Sequence, residues 1–523
     1  MRVFIALKNL LISDRFFVIY FGLLGLMSIG ITISSLKWII GLDLQPVLSA
    51  AYLTDKFHYL PYKDFIYLNF PGVHFYYYFI VKLFGYSYIG IRIADIIYLL
   101  ITLTASFFLF KKVSLKVAVS SIVIFSLIYF AGQEYYSLQR DYVLLLPIIL
   151  AILLTTTYPN RMANTKSFLL GFLCAIAALI KPQAVIALPV IFTFNMLYNS
   201  ENASKILSQR RIIKQLLCAA SGFLIPILCT IVFLTTTGSF DSFWDILMNF
   251  MPFYRNSKTA IVSDPSMPVE NIFSRYQKFG GYRPFLLTAV IGFYISIFRS
   301  NLNRHQRLLI YLFGSLSAVF IIYVVIGGKV MTYYWIPFAY CIIFLSSTCF
   351  IEQKEYPHRY SALLVLIPLF IIIATIAIQI CRPPNGKFFM DMLNETHKNN
   401  LIYSDILKAS EYLKNNLKPG DKVTSLDDVG IGMHSMLLAD AEPATYYVMY
   451  EQMLAFGEIE FPKSEYLHRL HNDYMERFNI AKPRFVLDFA GGKCFNDLRT
   501  ILDSNYVPIK LEHAIIYERK TDE

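Results

Sequence analysis

Five places in the chain carry residue types that could do chemistry. Asp43, in GLDLQP, stands directly behind a long apolar run. A carboxylate there can take a proton from a hydroxyl, or it can cap the next helix or remain a solvated loop charge. Arg92 and Asp95 are spaced i, i+3 at the head of a second apolar run. They either satisfy one another on one helix face or present the arginine to an anion. Glu134, Arg140 and Asp141 crowd the short segment AGQEYYSLQRD, either as ligand contacts or as loop charges with Asp141 as a cap. Lys181 precedes Pro182 between two apolar runs, where it either snorkels or meets a ligand. Lys329, Tyr333 and Tyr334 lie in GGKVMTYYW, as an aromatic belt or a binding edge. Asp64, in LPYKDF, and Asp55 read more simply as turn and loop residues.

The elements that must position these residues follow from composition. Of 523 residues, 56% are hydrophobic and 16% charged, against roughly 25% charged in soluble domains. A soluble disordered chain, a fibre and a disulfide scaffold are excluded, leaving a polytopic α-helical membrane protein. A spanning helix needs about 20 apolar residues. Eleven runs qualify: 16–36, 87–110, 115–131, 141–157, 167–180, 184–199, 215–236, 284–298, 308–326, 333–350 and 361–380. Seventeen Lys and Arg fall in alternate loops, from Arg2, Lys8 and Arg15 before the first run to Lys354 and Arg359 after the tenth. Basic loops stay cytoplasmic, so the N-terminus is expected inside and the C-terminus outside. Lys181-Pro182 argues for a hairpin at 167–199 rather than one long helix, because proline breaks the backbone ladder and a mid-bilayer lysine is costly. Residues 71–84 (PGVHFYYYFIVKLF) are too short to span and read as an interfacial helix on the outer face.

This layout gives a membrane domain over 1–380, with long outer loops at 37–86 and 237–283, and an extracytoplasmic domain over 381–523. The latter opens with a helical pattern, DILKASEYLKNNL, closed by Pro419-Gly420. Strand-like runs follow at 422–426, 484–489 and 507–517, so a small α/β domain is expected. Cys381 and Cys494 could pair there. No nucleotide, P-loop or zinc motif is present. Nucleic-acid binding is not expected, since topology explains the basic charge.

Taken together, Arg92, Arg140, Lys181 and Lys329 lie toward one outer plane, along with Asp43 and Asp141. Cations in outer loops run against the usual bias. An anionic ligand with a nearby base explains them economically, and a lipid phosphate is the anion available at that depth.

At this level the chain resembles the GT-C membrane glycosyltransferases that use polyprenyl-phosphate-linked sugars, and within them the protein O-mannosyltransferase and lipid A aminoarabinose transferase group. The likeness runs over nearly the whole chain. It rests on Asp43 opening the first outer loop, then Tyr62, Asp64 and Phe65 as a Tyr-x-Asp-Phe turn, Pro71-Gly72, and Leu83-Phe84-Gly85 ending a juxtamembrane helix. Arg92 then opens the second span, Asp141 or Glu134 matches an acid in the second outer loop, Lys181-Pro182-Gln183 matches the third, and Tyr333 and Tyr334 match a tyrosine-rich loop before a late span. Two departures are visible. Leu44 and Gln45 follow Asp43 where the family often has a second acid, which argues against a divalent metal held by an acidic pair. Asn69-Phe70 replace a Lys-Pro before the Pro-Gly turn.

The resemblance implies transfer of a sugar from a polyprenyl-phosphate donor, by default undecaprenyl phosphate in a bacterial inner membrane. Dolichol in the endoplasmic reticulum is the eukaryotic version. The acceptor would be lipid A or lipopolysaccharide, another surface glycan, or a protein. Asp43 would be the general base, with Asp141 as the second catalytic acid. Arg92, Glu134, Arg140, Lys181, Lys329, Tyr333, Tyr334, Tyr62 and Asp64 would contact substrate. No cofactor is implied. The competing readings are a lipid-linked oligosaccharide polymerase or ligase and, less well supported, a transporter, which should show repeated halves and broken helices at the midplane.

Overall fold

The computed structural model describes residues 14–158, 162–198, 209–252, 283–298, 301–327, 331–351, single positions within 368–374, and 401–427, 430–447, 465–489, 491 and 494–520. Seven described helices are long and apolar enough to cross a membrane: Asp14–Ser35, Tyr88–Phe110, Arg140–Thr157, Ala163–Ile180, Gln209–Thr236, Arg304–Gly327 and Thr332–Phe350. Leu115–Ala131, Pro182–Tyr198 and Pro284–Phe298 are shorter apolar helices. Ten of the eleven apolar runs are thus helical, and the eleventh falls almost wholly outside the described residues. The chain is a multi-pass membrane protein.

By its packing the chain forms two compact units: Met1–Leu36, Arg92–Cys229 and Asp264–Asn394 in the first, and Lys37–Ile91, Thr230–Ser263 and Glu395–Glu523 in the second. Residues 37–86, the first long loop of the sequence layout, thus group with the C-terminal residues.

Within the first unit, helices meet through small and hydroxylated side chains, as expected where apolar burial gives no net drive between helices in lipid. Gly171 and Gly222 face one another's helices: a methyl group at Gly171 would run into the Ala219 carbonyl, and one at Gly222 into that of Phe168. Hydroxyl pairs bridge other helices, Ser28 to Ser126 at 2.7 Å, Ser106 to Tyr340 at 2.7 Å and Thr288 to Ser346 at 2.8 Å. The helix Ala163–Ile180 stops where expected. Lys181 adopts an extended conformation (φ −142°, ψ 113°) ahead of Pro182, and a 3-10 turn Pro182–Ile186 follows. The residue before a proline is forced out of the α region.

In the second unit, Gln45–Phe57 and Pro71–Phe84 are helices with proline in their first turns, where the missing N–H costs nothing. Gly85, at φ 72°, ends the latter. Phe79 and Leu83 on that helix remain well exposed, consistent with the apolar face expected of an interfacial helix. The C-terminal residues open with the helix Leu401–Asn416 and build a five-stranded sheet: β1 Lys422–Leu426, β2 Glu442–Pro443, β3 Phe485–Asp488, β4 Tyr506–Lys510 and β5 Ile515–Arg519, in the order β2-β1-β3-β5-β4. β1 pairs parallel with β2 and β3, while β3–β5 and β5–β4 are antiparallel. The run at 507–517 is not one strand. Polar Glu512-His513 cannot continue a buried face, and Leu511 N–H closes a hairpin onto the Ala514 carbonyl at 2.8 Å.

Residues 37–86 are tied to the C-terminal residues by tyrosines. Tyr59 donates to Glu442 at 2.7 Å, Tyr52 to Asp440 at 3.0 Å, and Tyr446 to the Tyr62 carbonyl at 2.5 Å. Tyr88 bonds His434 at 2.6 Å beside a core of Tyr403, Ile406 and Ile431.

Candidate active site

In the first unit, two of the expected residues meet directly. Asp141 lies in the short helix Arg140–Val143 and is fully buried. Its two oxygens each stand 2.7 Å from the Lys181 ammonium, and Oδ1 also accepts the Tyr323 hydroxyl at 2.5 Å. The Lys181 Nζ sits 3.5 Å from the centroid of the Tyr334 ring and 5.8 Å from that of Tyr323. Tyr333 packs edge-on to Tyr334 at 5.1 Å. The extended Lys181 backbone turns this side chain away from its own helix, so the Lys-Pro break is what places the cation. A buried carboxylate requires such a partner, because an unpaired charge there costs several kcal/mol.

Asp141, expected as a catalytic acid, is thus engaged on both oxygens and its geometry is that of an anchor for Lys181. Tyr323 was not foreseen. Its only sequence signal is that between Ala318 and Ile326 it is the one side chain able to hydrogen-bond, and such a hydroxyl among spanning helices seeks a partner.

A second buried group lies at the head of the Tyr88–Phe110 helix. Arg92 Nη1 is 3.3 Å from Asp95 Oδ2, with the residues 1% and 2% exposed. The pair reading of the i, i+3 spacing is therefore present. Asp95 accepts three further bonds, from the Tyr129 hydroxyl at 2.5 Å, the Ser137 hydroxyl at 2.8 Å and Leu138 N–H at 3.2 Å. These hold the loop between Ala131 and Arg140 against the helix. In that loop Gln133 and Leu138 have φ of 52° and 48°, a strained state for non-glycine residues that surrounding contacts must enforce. Burial pushes the Glu134 carboxyl above its ordinary range, against the pull of Arg92. A more neutral Glu134 offers Arg92 less compensating charge.

The remaining expected residues lie elsewhere. Asp43 belongs to the second unit, half-buried in the turn Leu42–Leu44. The following helix starts at Gln45 with Leu44 at its cap and no side-chain cap bond, so Asp43 does not cap it. Asp64 accepts Leu60 N–H at 2.8 Å and closes a turn. Tyr62, at φ 70°, donates its hydroxyl to the Asn69 carbonyl at 2.5 Å and packs against Phe243. Lys329 and Cys381 lie outside the described residues. Among the described residues, no group of three or more His, Cys, Asp or Glu side chains could hold a metal ion.

The chain superposes on the crystal structure of ArnT from Cupriavidus metallidurans bound to undecaprenyl phosphate, with a TM-score of 0.63 at 10% identity over 97% of this chain and 99% of that one. Looser matches are the Archaeoglobus fulgidus oligosaccharyltransferase tethered with an acceptor peptide (TM-score 0.49, 10% identity, 97% of this chain and 74% of that one) and AglB of the same organism with an inhibitory peptide and a dolichol-phosphate (0.44, 10%, 94% and 74%). No family model and no curated protein matches the chain. At this identity the first match establishes the fold alone: the chain has the fold of that ArnT structure.

Proposed function

We propose that the chain is a glycosyltransferase that moves a sugar from a polyprenyl-phosphate donor to an acceptor on the outer face of a bacterial inner membrane, with the C-terminal α/β domain outside. The observation that carries this reading is the Lys181 ammonium, fixed by buried Asp141 at a helix break between basic flanks. The C1–O bond of the donor breaks, its electron pair stays on the lipid phosphate, and the developing charge needs a held cation. One well-placed donor contributes about 3 kcal/mol to such a step. Lys181 supplies that charge, Asp141 and Tyr323 position it, and Arg140 and Arg92 add positive potential. The half-buried Tyr334 ring, beside the Lys181 ammonium, is the aromatic edge that sugar or isoprenoid would meet next to that charge.

Asp43 is the proposed general base, worth about 10²–10⁴ in rate. That role rests on its place behind the first span and on its lack of a capping bond. It would take the proton of the acceptor hydroxyl, and one base with one phosphate leaving group favours direct inversion at C1. The undecaprenyl phosphate bound to ArnT supports the choice of donor class, and lipid A, another surface glycan or a protein remains the acceptor class. The test is Asp43→Asn in membranes supplied with lipid-linked donor: transfer should drop at least a hundredfold with folding intact, and undiminished transfer removes the base assignment.

A further inference from the structure

The segment Phe240–Phe250 carries a feature that the proposed reaction does not use. It is a helix, Phe240–Asp245, continuing into a π-turn, Ile246–Phe250, a wide turn that often marks functional sites. Positions four apart share a helix face, so this segment shows two adjoining stripes. One is aromatic: the Phe240 and Trp244 rings lie stacked, 6.3 Å apart and 13° from parallel. The other is polar: Asp241, Asp245 and Asn249. These five residues line an open cavity of 420 Å³, within the range of small-molecule sites, roughly 300–1,000 Å³.

The polar stripe is held in place. Asn249 donates to Asp245 at 2.8 Å, and Asp245 also receives the Tyr466 hydroxyl at 3.0 Å and Arg469 at 3.3 Å. Arg469 in turn stacks on Tyr466 at 4.8 Å. Asp241 is exposed beside the rings. Trp244 is 52% exposed, whereas the other two tryptophans, Trp38 and Trp335, are 4% and 3% exposed.

We propose that this face is a carbohydrate subsite, on which a pyranose lies flat over Trp244 while its hydroxyl or amino groups reach Asp241 and Asn249. A pyranose has an apolar face of axial C–H groups and a rim of polar substituents. It therefore matches an aromatic plane bordered by hydrogen-bonding groups. The alternative, an aromatic anchor in the lipid interface, fits poorly, since two carboxylates share the surface that lipid would cover. None of these residues belongs to the Lys181 or Asp95 groups, so the subsite stands or falls separately from the transfer reaction.

The test uses the full chain in nanodiscs on an array of neutral, N-acetylated and amino pyranoses. Retention is expected, with about tenfold loss in Trp244→Ala, the size of one lost aromatic stack. Trp244→Phe should keep most binding, Asp241→Asn should weaken amino pyranoses selectively, and Lys181→Met/Asp141→Asn should bind as the wild type does. Because Trp244 is the exposed tryptophan, a retained glycan should also shield fluorescence from acrylamide. Absence of pyranose retention, equal retention by Trp244→Ala, or quenching of Trp244 by brominated lipid would each overturn the proposal.

Discussion

Asp141 and Lys181, forty residues apart in sequence, form a two-point ion pair with both carboxylate oxygens 2.7 Å from the ammonium. Removing one partner leaves the other charge buried alone, which costs about 3–5 kcal/mol. Asp141→Asn and Lys181→Met should each lower the thermal midpoint sharply. The double variant should recover most of that loss, and additive losses in a double-mutant cycle measured by thermal unfolding in detergent would contradict the pairing.

Asp95 gathers four donors, three of them from Tyr129, Ser137 and Leu138. Asp95→Ala should therefore cost more than about 2 kcal/mol, since it strands Arg92 and releases the loop. Hydrogen exchange should rise first over 132–139. Unchanged exchange there would show that other contacts hold the loop.

His434 and His74 are buried in the second unit, and burial depresses both to about 4 from an ordinary value of 6.5. Unfolded, each binds a proton below pH 6.5, while folded each stays neutral down to about pH 4. The folded state thus loses stability as pH falls from 6.5 to 4 and is unaffected by these groups above that window. Thermal midpoints between pH 4 and 8 should slope accordingly. His434→Gln should flatten part of the slope, and an identical slope in that variant would exclude His434 as a contributor.

Gly171 and Gly222 bring two helices to backbone contact. Gly222→Leu should destabilise by at least about 1–3 kcal/mol through overpacking, read as a lower midpoint in detergent. A neutral result would mean that the helices separate without cost.

Much of this architecture is legible in the sequence because the bilayer imposes it. Runs such as 87–110 and 308–326 must be helical where no water satisfies the backbone, and Lys181-Pro182 announces its own break. The sheet strands β1 and β3 were readable from KVTSL and RFVLDF. The rest depends on contacts between distant segments. Nothing local to Tyr323 points to Asp141, and Asp95 looked like a partner for Arg92 alone because Tyr129, Ser137 and Leu138 arrive from another helix and its loop. Likewise Tyr59 and Tyr446, which join residues 37–86 to the C-terminal residues, read in sequence as part of an unexplained aromatic excess.

A cation held by Asp141 is proposed to serve transfer from a lipid phosphate. The most direct test mixes the purified chain with polyprenyl-phosphate sugars extracted from host membranes, adds acceptor membranes, and measures free polyprenyl phosphate released over time. The wild type should release it. Lys181→Met/Asp141→Asn, which removes both charges while remaining folded, should release at least a hundredfold less, a loss of about 3 kcal/mol in transition-state stabilisation. Equal release by the folded double variant, or no release by the wild type, would remove that role from Lys181 and Asp141.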